Sequence, residues 1–175
     1  WRGTEGGIAA AKAGHDAVMT PGTYCYFDHF QSLSQNEPFA IGGFTTVEKV
    51  YSYEPVPEGL TDSQAVHIIG AQGNLWTEYI EFPAHVEYMV YPRAAALSEV
   101  LWSAKDGRNY DEFLNRLTIL FKRYDVLKIN YAKHVVDVKG TVTKGNSGMP
   151  LVTLTSRIDG AEIYYTTDGS SVSTS

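Results

Sequence analysis

The chain has 175 residues, enough for one sizeable core or for a core and a small appended module. Its 43% hydrophobic and 19% charged residues are ordinary for a globular protein, and no apolar run reaches the roughly 18 residues of a membrane-spanning helix. A net charge of -6 with no basic cluster argues against nucleic acid as a partner, and the single cysteine, Cys25, excludes an internal disulfide.

Trp1-Arg2-Gly3 contains no initiator Met, signal peptide or capping sequence, so the chain is expected to be a piece of a longer protein. Thr4 is placed to cap an Ala-rich helix that Gly14 stops. His15–Thr20 then reads as a strand ended by Pro21-Gly22, and a helix followed by a short buried strand suggests a parallel sheet. Thr23–Gln31 is a polar and aromatic loop, and residues 32–44 form an irregular connection. Thr45 or Thr46 caps a helix over Val47–Tyr51, with Glu48 placed to complete a capping box. A turn at Asp62–Ala65 leads into a strand at Val66–Ile69. Beyond it, the helical period runs from Pro83 to Trp102 with a break expected at Tyr91, where Pro92 opens a second helix. A third helix spans roughly Tyr110–Tyr124, with Phe113, Leu114, Leu117, Leu120 and Phe121 on one face. Past residue 134 come three β-type runs, Val135–Val138, Leu151–Leu154 and Glu162–Thr166, then a Ser-rich end without regular structure.

Two strand ends carry similar equipment, Tyr26-Phe27-Asp28 and Trp76-Thr77-Glu78. In α/β folds ligands bind past the carboxyl ends of the strands, and residues i and i+2 point the same way there. Tyr26 with Asp28, and Trp76 with Glu78, could therefore share one pocket. Apolar sugar faces stack on an indole, and sugar hydroxyls take directional bonds from carboxylates. Against this stands a plainer reading, in which Trp76 fills a core gap and Glu78 is a solvated loop charge. Other groups offer less chemistry. The five histidines lack metal-ligand spacing, His67 reads as a core histidine, and no phosphate loop or serine elbow is present. Arg93 is expected to pair with a carboxylate such as Glu99, and Trp102 to pack in the core.

Trp1–Gly3, Gly14–Pro21, Tyr26–Asp28, Gly70–Tyr79 and Tyr91–Ser103 together resemble the carboxyl-terminal part of a family-20 glycoside hydrolase, the β-N-acetylhexosaminidases, most like those of Bacteroidetes-type bacteria. Residues 160–170 resemble the small β domain often appended to these enzymes. Gly73 stands where relatives often have Ala, an exchange expected to be harmless. The resemblance implies an α/β fold: the C-terminal portion of a (β/α)8 TIM barrel over residues 1–134, then an incomplete small β-sandwich-like module over 135–175. It implies exo-acting removal of terminal N-acetylhexosamine by a retaining, substrate-assisted route. In that route an Asp-Glu pair on the fourth strand supplies the acid and orients the 2-acetamido group. This chain lacks such a pair, since Asp111-Glu112 opens a helix.

By the same resemblance Tyr26 bonds the acetamido oxygen, and Asp28 and Glu78 bind hydroxyls around O4 and O6. Trp76 floors the sugar and Trp1 walls the acetamido methyl. No cofactor or metal is implied. The partner is a glycan ending in β-linked GlcNAc or GalNAc, the location is periplasmic or secreted, and the missing N-terminal half or another copy is needed for stability. The alternative is a non-catalytic carbohydrate-binding protein on a degenerate barrel. A third reading is structural core alone.

Overall fold

The computed structural model describes residues 1–172 apart from Ser147 and Asp159. The first sheet is a parallel pair, β1 (Ala17–Met19) with β2 (Ile68–Ala71), in which Ala17 faces Ile68, Val18 faces Gly70 and Met19 faces Ala71. Before β1 lies α1 (Glu5–Lys12). Thr4 takes its N-cap position but its side chain makes no capping bond. Gly14, at φ 77°, closes the helix as expected: its amide reaches the Ala11 carbonyl, and the His15 amide reaches Ala10.

The connection from β1 to β2 holds three short helices. The expected loop after β1 contains one turn, α2 (Gly22–Cys25). On α3 (Val47–Tyr51) the cap is Thr46, whose Oγ1 accepts from the Lys49 amide at 3.1 Å. Glu48 is then second in the helix rather than third, too early to close a capping box. The reciprocal contact occurs instead at α4 (Asp62–Ala65), where Gln64 Oε1 accepts from the Thr61 amide at 3.0 Å. Because Val66 still has helical dihedrals after α4, the second strand starts two residues later than its apolar run. His67 accordingly sits at the strand entrance, half-buried and 2.8 Å from Asp16, rather than in the core.

After β2, α5 (Pro83–Val90) ends at Tyr91, the Tyr91–Pro92 peptide is cis, and α6 (Arg93–Trp102) follows. The break falls where Pro92 removes an amide donor. α7 (Tyr110–Leu127) opens on Asn109, whose side chain accepts from the Glu112 amide at 3.1 Å. It ends at Lys128, which has left-handed dihedrals. Phe113, Leu114, Leu117, Phe121 and Tyr124 form its buried face, and α3 packs against α6. Trp102 is 90% exposed, contrary to the expected core role, because it closes the last turn of α6 on the side away from Ala96, Leu97 and Val100.

The chain divides into two compact units, Trp1–Ala132 and a second from Lys133 onward. In the second, β3 (Lys139–Lys144) pairs antiparallel with β4 (Pro150–Thr155). The expected strand at Val135–Val138 is replaced by a 3-10 turn over His134–Val136, and Glu162–Thr166 carries no strand. β3 is exposed along its whole length, and on β4 only Leu154 is half-buried. The far end of the Ser-rich tail, from Ser173, lies outside the described residues.

Candidate functional site

The site grows from the two parallel strands by a local repair of their pairing. After β1, buried Pro21 and α2 carry the chain out of register with β2. It returns at Tyr26, which bridges in parallel to Asn74. The Phe27 amide donates to the Asn74 carbonyl at 2.7 Å, and the Asn74 amide to the Cys25 carbonyl at 2.7 Å. Both strand ends are thereby extended, and Tyr26-Phe27-Asp28 and Trp76-Thr77-Glu78 leave them side by side. The chain start joins them, because the Gly22 amide donates to the Trp1 carbonyl at 3.2 Å.

A cavity of about 850 Å3 results, lined by Trp1, Tyr26, Asp28, Trp76 and Glu78 together with Gly22, Thr23, His29, Ile41 and Phe44. All five residues singled out in the sequence therefore share one cavity. Trp76 is 54% exposed, so it does not fill a core gap. Asp111 and Glu112 lie in the first turn of α7 and do not line this cavity.

Asp28 differs from Glu78 in its surroundings. Glu78 is exposed, whereas Asp28 is 6% exposed and its Oδ1 is buried with no hydrogen-bond partner among the described residues. Burial pushes the Asp28 carboxyl above the usual carboxylate range. Its own backbone amide, His29 and Arg93 pull it back, while Glu78 adds to the rise. A buried acceptor without a donor is costly until something supplies one.

His29 was not among the residues expected here. Its Nδ1 lies 3.0 Å from Thr45 Oγ1, and burial holds the imidazole below its ordinary range, against the pull of Asp28 and with the help of Arg93. Gly43, at φ 69°, lets the backbone approach the ring, since a Cβ there would fall 2.6 Å from it. Histidine spacing gave no sign of this role; adjacency to Asp28 was the available signal.

A further expectation is corrected. Arg93 is fully buried, and its guanidinium bonds backbone carbonyls instead of Glu99. Glu99, six residues along α6, faces elsewhere and accepts from Tyr51 at 2.8 Å and from Arg116 at 2.6 Å. At Gly73 an added Cβ would stand 2.5 Å from the Phe27 ring.

A mixed α/β fold with aromatic rings and carboxylates gathered beyond parallel strand ends defines a class, the α/β proteins with a cavity at the strand ends. The chain belongs to glycosyl hydrolase family 20: the pattern of that family's catalytic domain matches residues 1–105. A second pattern, described as Fn3 associated, matches residues 152–174. The chain is 42% identical over 132 residues to a beta-hexosaminidase of Porphyromonas gingivalis, covering 75% of this chain and 17% of that protein. It is 30% identical over 118 residues to a beta-hexosaminidase of Akkermansia muciniphila, covering 65% of this chain and 24% of the relative. Among solved structures it is similar to the GH20 exo beta-N-acetylglucosaminidase of Vibrio harveyi in complex with N-acetylglucosamine. That likeness has a TM-score of 0.69 and 33% identity, and covers 76% of this chain and 21% of the other. The chain thus spans about a fifth of the length of the relatives it matches.

Proposed function

We propose that this chain supplies the sugar-binding side of the active site of an exo-acting β-N-acetylhexosaminidase, which removes terminal N-acetylhexosamine with retention by a substrate-assisted route. The observation that carries this reading is the convergence of Trp1, Tyr26, Asp28, Trp76 and Glu78 on one cavity, with a buried Asp28 oxygen awaiting a donor. A sugar hydroxyl is such a donor. Asp28 and Glu78 bind hydroxyls around O4 and O6 of the terminal sugar, Trp76 lies under its ring, and Trp1 walls the acetamido methyl. Tyr26 donates to the acetamido oxygen and holds it in line with the anomeric carbon for attack, so its part is to orient the nucleophile. Aromatic walls limit interception of the intermediate by water. The general acid and its partner aspartate belong to sequence outside this chain.

The same reading makes residues 1–134 the C-terminal portion of a (β/α)8 barrel and residues 135–175 the start of a small β-sandwich-like domain. Parallel strands are ordinarily covered on both faces, yet Val18 and Ile69 are 49% and 61% exposed, which favours further strands and helices against them. The missing half of the barrel, or another copy, would cover these residues. For the second module the β3–β4 hairpin and the Fn3-associated match give support.

The test uses the full-length protein and release of 4-nitrophenol from the 4-nitrophenyl β-N-acetylglucosaminide. Tyr26→Phe is expected to lower kcat about 10²-fold, the scale of a reacting group held about 1 Å out of place. An unchanged kcat removes the role given to Tyr26. No release by the full-length protein favours a non-catalytic carbohydrate-binding protein instead.

A further inference from the structure

Arg93, the first residue of α6, is 0% exposed and carries a charge into the interior. Burial pushes its guanidinium down to about 9, against the pull of Glu37, Asp28 and Tyr88, so it stays charged at neutral pH. Its hydrogen bonds go to backbone carbonyls from three segments of the chain. Nε donates to Met89 at 3.0 Å, and Nη1 donates to His29 at 2.9 Å and to Thr45 at 3.0 Å. Nη2 donates to Phe27 and again to Met89. The Phe27 ring lies beneath, its centroid 5.1 Å from the guanidinium carbon.

Two of these carbonyls belong to the residues on either side of Asp28. A third, that of Thr45, belongs to the residue whose hydroxyl meets His29. Among the described residues Asp28 Oδ1 has no partner, and the carboxyl is bonded by its own backbone amide, so its placement follows that of the local backbone. We infer that Arg93 is the positioning residue for Asp28, clamping the peptide on both sides of it so that the carboxylate is held in the cavity before any ligand arrives. This inference rests on the reading of the cavity as a sugar site. A lysine cannot replace the clamp, because an ammonium is a single point of donors whereas the guanidinium fork spans several acceptors at once.

In the full-length enzyme, Arg93→Lys is expected to lower kcat/KM about tenfold, no more than the loss expected on altering Asp28 itself, because it acts through that carboxylate. A general loss of stability could do the same, so the deciding measurement is a double-mutant cycle. In an Asp28→Asn background Arg93→Lys should cost no more than about twofold, while in a Glu78→Gln background it should keep its full effect. Equal losses in both backgrounds overturn the inference. If Arg93→Lys does not accumulate folded, hydrogen exchange on the unaltered full-length enzyme decides. The peptide over residues 26–30 should exchange as slowly without N-acetylglucosamine as with it, and protection that appears only with the sugar overturns the clamp. Wild-type kcat and KM for Asp28→Asn alone would sink the sugar-site reading itself, a different failure from an additive cycle.

Discussion

Asp28 is held in the cavity wall with its Oδ1 unpartnered, and burial raises its carboxyl above the ordinary range. Its neighbours answer that burden unevenly: His29 and Arg93 ease it, and Glu78 adds to it. A group whose folded pKa lies above its unfolded value favours the protonated folded state. Its contribution to stability is therefore complete in acid and is lost as pH rises through the folded pKa. Asp28→Asn is thus expected to raise Tm at neutral pH, with the difference from the natural protein vanishing below the ordinary carboxylate range. The same substitution should raise KM about tenfold, the cost of weakening one charged hydrogen bond to a hydroxyl. Melting curves at the two pH values and steady-state kinetics check both. A Tm lower than that of the natural protein at neutral pH would show that Asp28 stabilises the empty site. Trp76, Glu78, Tyr26 and Asp28 were legible as a set because alternation at a strand end is a local rule. His29 and Arg93 were not, since their roles come from Thr45 and from the carbonyls of distant segments.

Between elements, the fit of the two strand ends depends on one size-matched pair. Phe27 is 4% exposed and stands where a Cβ on residue 73 would lie, 2.5 Å from its ring. The ring cannot withdraw freely, with Arg93 against its face. Gly73→Ala is therefore expected to destabilise the protein by about 1–3 kcal/mol, the usual cost of overpacking. Phe27→Leu in the same chain should recover most of that loss. Denaturant midpoints of the single and double variants measure this, and a neutral Gly73→Ala would mean the Phe27 ring can shift without cost. The helix signals behaved in a comparable way. Pro92 stops α5 wherever it packs, because the missing donor is a property of the residue itself. The start of β2 was misplaced because α4 extends its helical dihedrals into Val66, and apolar character alone cannot register that.

For the molecule as a whole, the first unit is rich in buried tyrosines. Burial pushes Tyr51, Tyr124 and Tyr131 up to about 12, with Glu99 adding to the shift at Tyr51 and Asp125 at Tyr131, and it raises Tyr53 as well. Their ordinary value is 10.0, so above it the unfolded chain releases protons that the folded chain retains. Stability is expected to be complete below pH 10 and to be lost as pH rises from there toward about 12. Tm measured across that interval should fall steeply, and Tyr51→Phe should soften the fall. A flat profile would place these phenols in contact with solvent.

Some features of this protein follow from the sequence alone: the helical periods, the stops at Gly14 and Pro92, the parallel α/β character and the pairing of ring with carboxylate at two strand ends. Each depends on residues within a few positions of one another, where dihedral preference and side-chain alternation are enough. Tertiary structure alone decided that Tyr26 re-pairs with Asn74, that Arg93 serves backbone carbonyls and not Glu99, that Trp102 faces outward, and that Asp28 is buried with an oxygen unsatisfied. These are questions of which distant groups arrive at the same place. Burial and hydrogen-bond partners are properties of the assembled chain, and no local pattern carries them.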